Sequence, residues 1–392
     1  MKVSLLVFAA IVLRPFAILA FALVKLVRPV QHKVTFITRQ SDSTPVDFVL
    51  LAGEFSQQDR SLKQKMLCCS EKTRSQRFMG HITQTFLELW HIANSSVVIL
   101  DGYALSISYF PQRKNLFVLQ MWHTLGGVKS FSWQTVDMVG GRDSRIAHAF
   151  RMHANYTALL APGKDFVEPY RHAFRTARSR IHVFPLPRAD ILRSPDFNRI
   201  DALISDNPDF FVRRPLILYV PTFRDDEDAS AQWIQSVRAL IDAAEEHGAT
   251  IILKAHSREP ALNDDSSIQM LDSPNLILNP EIDTMDLLSL VDHVITDYSG
   301  VAFEAAAAGK PLWFYIPDYN DYRAKRGLNV DVQAYMPNAC FADAGDLMDA
   351  LTQVSLPSTE QSYFLNSFVQ LPSNPGVTSS KQIARFVLKS IQ

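Results

Sequence analysis

Glycine and cysteine are both scarce in this 392-residue chain, with fourteen glycines against twenty-one prolines and only three cysteines. Neither GxGxxG nor GxxxxGK[ST] occurs, which excludes the glycine-rich phosphate cradles of dinucleotide and P-loop folds. Cys68, Cys69 and Cys340 are too few for a disulfide framework and lack metal-ligand spacing, so a reducing, cytosolic setting fits. The formal net charge is −1 and no lysine- or arginine-rich tract stands out, which argues against a nucleic-acid partner. No acidic pair with metal-ligand spacing, internal repeat or low-complexity stretch is evident, and no cofactor is expected.

What the chain has instead is a series of short apolar runs, each ending in a polar cluster. They read LFVLQ then MWHTLGGVK from Leu116, LILYV then PTFRDDED from Leu216, and TIILK then AHSRE from Thr250. HVIT then DYSG follows from His293, and LWFYI then PDYNDYRAKRG from Leu312. Runs of this length and composition predict strands buried on both faces. Helix-like stretches such as Ser230–His247 and Met285–Val291 alternate with them, which predicts βα units and parallel sheets. Ligands of such sheets bind beyond the carboxyl ends of the strands, where the clusters fall. The cations, imidazoles and hydroxyls found there suit a phosphorylated, nucleotide-like ligand.

The amino terminus differs. Residues 3–27 are almost wholly apolar, broken by Ser4, Arg14–Pro15 and Lys25. That length suffices to cross a bilayer, but a central arginine costs about 3 kcal/mol there and the proline tends to kink a helix. A bent helix at the membrane interface, with Lys25, Arg28 and Lys33 at the headgroups, is the preferred reading over a span, a cleaved signal or a buried core helix.

Further along, VTFIT from Val34 and DFVLL from Asp47 are expected as the first two strands, and residues 57–77 as a helix or exposed excursion. A helix is expected from His81, strands at Val97 and Leu116, a helix at Ser144–Arg151, and strands from Tyr156 and Ile181. Residues 187–215 carry four prolines and read as an interdomain linker. This divides the chain into a membrane-associating segment (1–30), an acceptor-side domain (31–205) and a donor-binding domain (206–392), whose amphipathic last helix is free to pack back on the first.

In DYSGVAFEAAAAGKP, Ser299 is placed to cap a helix start whose N–H groups would hold a phosphate, and Glu304 lies one turn on. His256 sits beside Lys254 and Arg258, while His123 precedes two glycines expected to let the backbone approach a ligand. Arg224 and Thr222 offer a cation and a hydroxyl. His148, His153, His172 and His182 suit surface or packing roles.

Taken in order, WHxxGxxK, PTFRD, KxH, TDYSG and Tyr-x3-ArgGly resemble the CDP-glycerol glycerophosphotransferases, the teichoic acid primases and polymerases of bacterial cell walls. The resemblance runs from about Asp101 to Asp331 and includes RKN (Arg113–Asn115) and PRAD (Pro187–Asp190). Departures are Gly300 for the second serine of DYSS, Ala255 and Ser257 for the prolines of KPHP, and no second lysine after Lys129. The resemblance implies a GT-B fold, two Rossmann-like α/β domains facing a cleft, with the nucleotide on the second. It implies catalytic roles for His123 and His256, with His123 as the base. Donor contacts would come from Thr222, Arg224, Lys254, Asp297, Tyr298, Ser299, Gly300, Glu304 and Arg326, and acceptor contacts from Trp122 and Lys129. The reaction implied is metal-independent transfer of a polyol phosphate, glycerol phosphate first, from a CDP donor to a lipid-linked acceptor at the cytoplasmic membrane face. A nucleotide-sugar glycosyltransferase and a silent membrane scaffold are the alternatives.

Overall fold

The computed structural model describes residues 2–70, 78–138, 140–211, 214–223, 227–255, 259, 265–354, 358–374 and 376–391. They form two compact units. The first comprises residues 1–124, 131–190 and 370–392, and the second residues 125–130 and 191–369.

The first unit is built on a six-stranded, wholly parallel sheet of order β2-β1-β3-β4-β5-β6. Its strands are β1 (Lys33–Thr38), β2 (Lys63–Cys68), β3 (Val97–Leu100), β4 (Phe117–Gln120), β5 (Ala158–Ala161) and β6 (Ile181–Val183). Every residue of β1, β3, β4 and β5 is buried, as expected for strands covered on both faces. The second unit repeats the plan with order β12-β11-β10-β7-β8-β9. Its strands are β7 (Leu216–Val220), β8 (Thr250–Leu253), β9 (Leu276–Leu278), β10 (His293–Thr296), β11 (Leu312–Tyr315) and β12 (Cys340–Phe341). The order reverses between β1 and β3 in one sheet and between β7 and β10 in the other, and such switch points leave a crevice at the strand ends.

Three sequence expectations need correction. DFVLL is not a strand: α2 (Val46–Gln58) begins after Pro45 and buries Asp47, Phe48, Leu51 and Phe55, a helical spacing. The polar stretch beyond it contains the edge strand β2, whose half-exposed, polar first residues hid it. Residues 187–215 are no open linker but contain the helices Arg188–Arg193 and Phe197–Asp206. The division between units accordingly falls at Asp190–Ile191 rather than near 205, because the Phe197–Asp206 helix is tied to the second unit by the Arg199–Asp286 ion pair of 2.7 Å.

The amino-terminal apolar segment is one helix, α1 (Lys2–Val27), which continues through Pro15. One side is anchored: Phe21 packs edge-on against Phe110, and the Tyr109 hydroxyl donates to the Ala10 carbonyl. The other side is bare, with Leu5, Phe8, Ile11, Leu13, Phe16, Leu19, Leu23 and Leu26 exposed. The trailing cations expected at the headgroups make contacts within the unit. Lys33 is buried in β1 and donates to Asn94 Oδ1 at 2.8 Å, and burial lowers its pKa to about 8. Lys25 donates to the Pro111 carbonyl at 2.9 Å, and Arg28 lies over the Trp90 ring at 4.4 Å.

Candidate functional site

In the first unit the site residues stand where β1, β3 and β4 end. Gln120, the last residue of β4, is fully buried and clamps two backbones. Its Nε2 donates to the Gly102 carbonyl at 2.9 Å, and its Oε1 accepts from the Trp122 N–H at 2.9 Å. The clamp fixes a turn in which Trp122 takes a left-handed φ of 64°, uncommon for a bulky residue. Packing holds this conformation: the indole stacks on Phe131 at 5.0 Å and meets Phe174 edge-on at 5.2 Å. Trp122 therefore serves as the platform of the next residue, His123, whose ring lies 4.4 Å from it.

His123 Nδ1 is 3.1 Å from the Asp101 carbonyl oxygen. A carbonyl only accepts, so Nδ1 carries the hydrogen, which makes Nε2 the basic nitrogen when the ring is neutral. That is the tautomer a general base requires. Asp101, at the end of β3, is itself buried. Burial pushes its carboxyl up to about 6, against hydrogen bonds from the Thr38 side chain and the Arg39 N–H that favour the charged form. Arg39 follows β1 and is 8% exposed, with Nη2 donating to Glu88 at 2.9 Å and Ser106 donating to the same carboxylate oxygen at 2.5 Å. Arg39 and Asp101 thus occupy the switch point of this sheet. Sequence reasoning missed both, although each follows an apolar run in the same manner as the clusters it selected.

In the second unit the switch point lies at the ends of β7 and β10. Asp297 is buried, and one carboxylate oxygen accepts from the Thr222 N–H at 2.8 Å and the Tyr298 N–H at 2.5 Å. This binds the PTF and DYSG turns together. Tyr298 is fully buried, stacks on Tyr322 at 3.8 Å, and donates to Asp318 at 2.9 Å. These two residues, expected as donor contacts, are both buried and bonded within the unit. Ser299 is not the helix cap: Gly300 occupies that position, and the Ser299 hydroxyl accepts from the Val301 N–H at a long 3.4 Å. Ser299 is half-buried, Glu304 is buried in the Val301–Ala307 helix, and Lys254 donates to the Pro280 carbonyl at 2.5 Å. His256 and Arg224 lie outside the described residues.

Lys129 and Arg326 come from distant motifs that the fold joins. Residues 125–130 belong to the second unit and pair with the segment after the Tyr319–Arg326 helix. Lys129 bridges Leu328, Asn329 donates to the Val128 carbonyl at 2.7 Å, and Ser130 donates to the Gly327 carbonyl at 3.1 Å. Gly126 does not make room for a ligand as expected. A Cβ there would stand 2.5 Å from the Phe303 ring, so its role is close packing.

Two other sequence motifs are braces. Arg113 of RKN donates to the carbonyls of Ala93 at 3.1 Å and Arg28 at 3.1 Å, and also to that of Lys25, holding the end of α1. In PRAD, Arg188 grips Asp47 through Nε at 2.9 Å and Nη2 at 2.6 Å. Asp190 holds the first turn of the carboxy-terminal helix Ser379–Ser390, which Thr378 caps, accepting from Ser379 N at 2.7 Å and Ser380 Oγ at 2.6 Å.

The family model for CDP-Glycerol:Poly(glycerophosphate) glycerophosphotransferase matches residues 20–388. The chain belongs to this family. It is a transferase, and among its relatives is a teichoic acid ribitol-phosphate primase of Bacillus spizizenii, 25% identical over 84% of each chain. A teichoic acid glycerol-phosphate primase of Bacillus subtilis is 28% identical over 66% of this chain and 65% of its own. The wall teichoic acid polymerase TagF superposes with a TM-score of 0.70 at 17% identity, covering 99% of this chain and 98% of that one. TagF soaked with CDPG gives 0.68 at 16% identity, covering 99% and 98%. These structural likenesses show the fold, two parallel-sheet α/β domains of GT-B type.

Proposed function

We infer that the protein transfers a polyol phosphate, glycerol phosphate in the first instance, from a CDP-activated donor to a lipid-linked acceptor at the cytoplasmic face of the membrane. Family membership supports the donor class: the family is named for transfer from CDP-glycerol, and ribitol and glycerol primases are similar to comparable degrees. The observation that carries the mechanism is the His123–Asp101 hydrogen bond, which leaves Nε2 as the proton acceptor.

In the reaction, an acceptor hydroxyl oxygen bonds to the β-phosphorus while the bond to the bridging oxygen breaks. The hydroxyl proton passes to His123 Nε2 and CMP departs with the bridging oxygen. Charge on the phosphoryl oxygens has to be met by donors fixed beforehand. Lys254, Ser299, Lys129 and Arg326 fill that role on the second unit, together with His256 and Arg224. Asp297 holds together the turns that carry Ser299 and lead to Arg224. Trp122 sets the plane of the base.

The helix α1 supports the membrane side of this reading. A helix tethered along one side by Tyr109, Phe110 and Arg113 and bare and apolar along the other suits a surface lying in the interface. The test is a donor panel with solubilised full-length protein, scoring CMP release from CDP-glycerol and CDP-ribitol against UDP release from UDP-sugars. Release of UDP without CMP would replace this function by sugar transfer.

A further inference from the structure

We propose that a groove in the first unit, between α1 and α3 (Phe78–Ile92), receives the hydrocarbon chain of a lipid phosphate and that Arg39 takes an oxygen of its head. The proposal rests on the reading of a lipid-linked acceptor and assigns the acceptor's chain a place.

The groove has a volume of about 710 Å³ and is walled by Ala17, Phe21 and Val24 of α1 and Ile82, Phe86 and Trp90 of α3. That volume falls within the range of small-molecule sites. Among its described lining residues Arg39 alone is charged. This arginine is 8% exposed, and its Nε is a buried donor without a partner. Buried N–H groups are nearly always paired, so an orphan on the one charged residue lining the groove marks that side chain as the place for an acceptor. Glu88 already offsets the guanidinium charge through Nη2, so the site suits a directed hydrogen bond to a phosphoryl oxygen more than a general anion trap.

Two features select a membrane lipid over a soluble apolar ligand. The wall helix α1 exposes Leu19 and Leu23 beside the groove-lining Ala20 and Val24, so the groove continues into the bare face that lies against the bilayer. The polar end also stands at the switch point of the sheet. The Arg39 N–H bonds the Asp101 carboxyl, and the Asp101 carbonyl bonds His123. A chain entering from the membrane would therefore bring its phosphorylated end to the same strand ends as the base.

The experiment is photolabelling of full-length protein in micelles with a benzophenone-bearing farnesyl diphosphate, beside the corresponding uncharged alcohol, with the labelled peptides mapped. Labels are expected within residues 17–24 and 82–90. Ala20→Trp and Thr85→Trp, which fill the groove, should reduce them at least tenfold without changing CDP-glycerol binding. Arg39→Gln should weaken labelling by the diphosphate about tenfold and by the alcohol little. Because that variant strands Glu88, the paired change Arg39→Met with Glu88→Met, which removes both charges, serves as the folded control with the same expected loss. Labels spread evenly along α1, or undiminished in the filled variants, would overturn the proposal. Normal CMP release with no groove labelling overturns the groove alone. Groove labelling with no CMP release from any donor overturns the transferase reading and leaves the groove standing.

Discussion

The two units share one plan and use it differently. Both place polar residues at a switch point of a six-stranded parallel sheet. In the first, the buried groups aim a side chain: Gln120 fixes the turn, Trp122 the ring plane and the Asp101 carbonyl the tautomer of His123. In the second, the conspicuous side chains of DYSG are turned inward, Asp297 onto two backbone N–H groups and Tyr298 onto Tyr322. The lesson is that membership in a motif does not separate side chains open to solvent from side chains that hold turns together. Burial and hydrogen-bond direction do.

The contrast can be broken by substitution, beginning with the largest expected effect. If PRAD is a brace, Arg188→Ala leaves the buried Asp47 carboxylate without its cation, only the residue-188 backbone N–H still donating to it, and should cost about 3–5 kcal/mol in urea denaturation. A donor-binding role without a stability cost would contradict it. Next is Asp101. Its folded pKa near 6 lies above the unfolded value of 3.8, so the native state binds the extra proton between those values. Stability should therefore be greater near pH 4 and fall as pH rises to about 6, then stay level, by on the order of 3 kcal/mol from this group. Asp101→Asn should flatten that slope in denaturation curves taken across the window.

Gly126→Ala drives a methyl into the Phe303 ring and should destabilise the second unit by about 1–3 kcal/mol. Wild-type melting would remove the packing explanation for this glycine. The smallest effect is expected at Ser299, whose hydroxyl is only loosely held by Val301 N. Ser299→Ala should weaken CDP-glycerol binding about 3- to 10-fold with little change in melting, since one hydrogen bond is at stake.

Much of the fold was legible because central strands of a parallel sheet are apolar throughout: the runs at Val97, Leu116, Leu216, Thr250 and His293 each became a strand. Edge strands escaped notice for the converse reason. Lys63–Cys68 exposes Lys63 and Lys65 and buries only Leu67, and Cys340–Phe341 is too short to show a period. DFVLL misled because a five-residue apolar run carries no decisive period; the Phe55 that reveals its helical face lies four residues beyond it. Of the candidate site, His123 and its strand-end position were readable, whereas its partner was not. The Asp101 atom that matters is a backbone carbonyl, which no side-chain pattern announces. Arg39 was overlooked because a single arginine after a strand resembles any surface cation until its burial is seen.

The most direct test of a base on the first unit and a donor site on the second separates binding from chemistry in one variant. His123→Ala should bind CDP-glycerol by calorimetry within about threefold of wild type while turnover falls about 100- to 10,000-fold. A folded variant that turns over at the wild-type rate, or that loses donor affinity in step with its activity, would contradict the account.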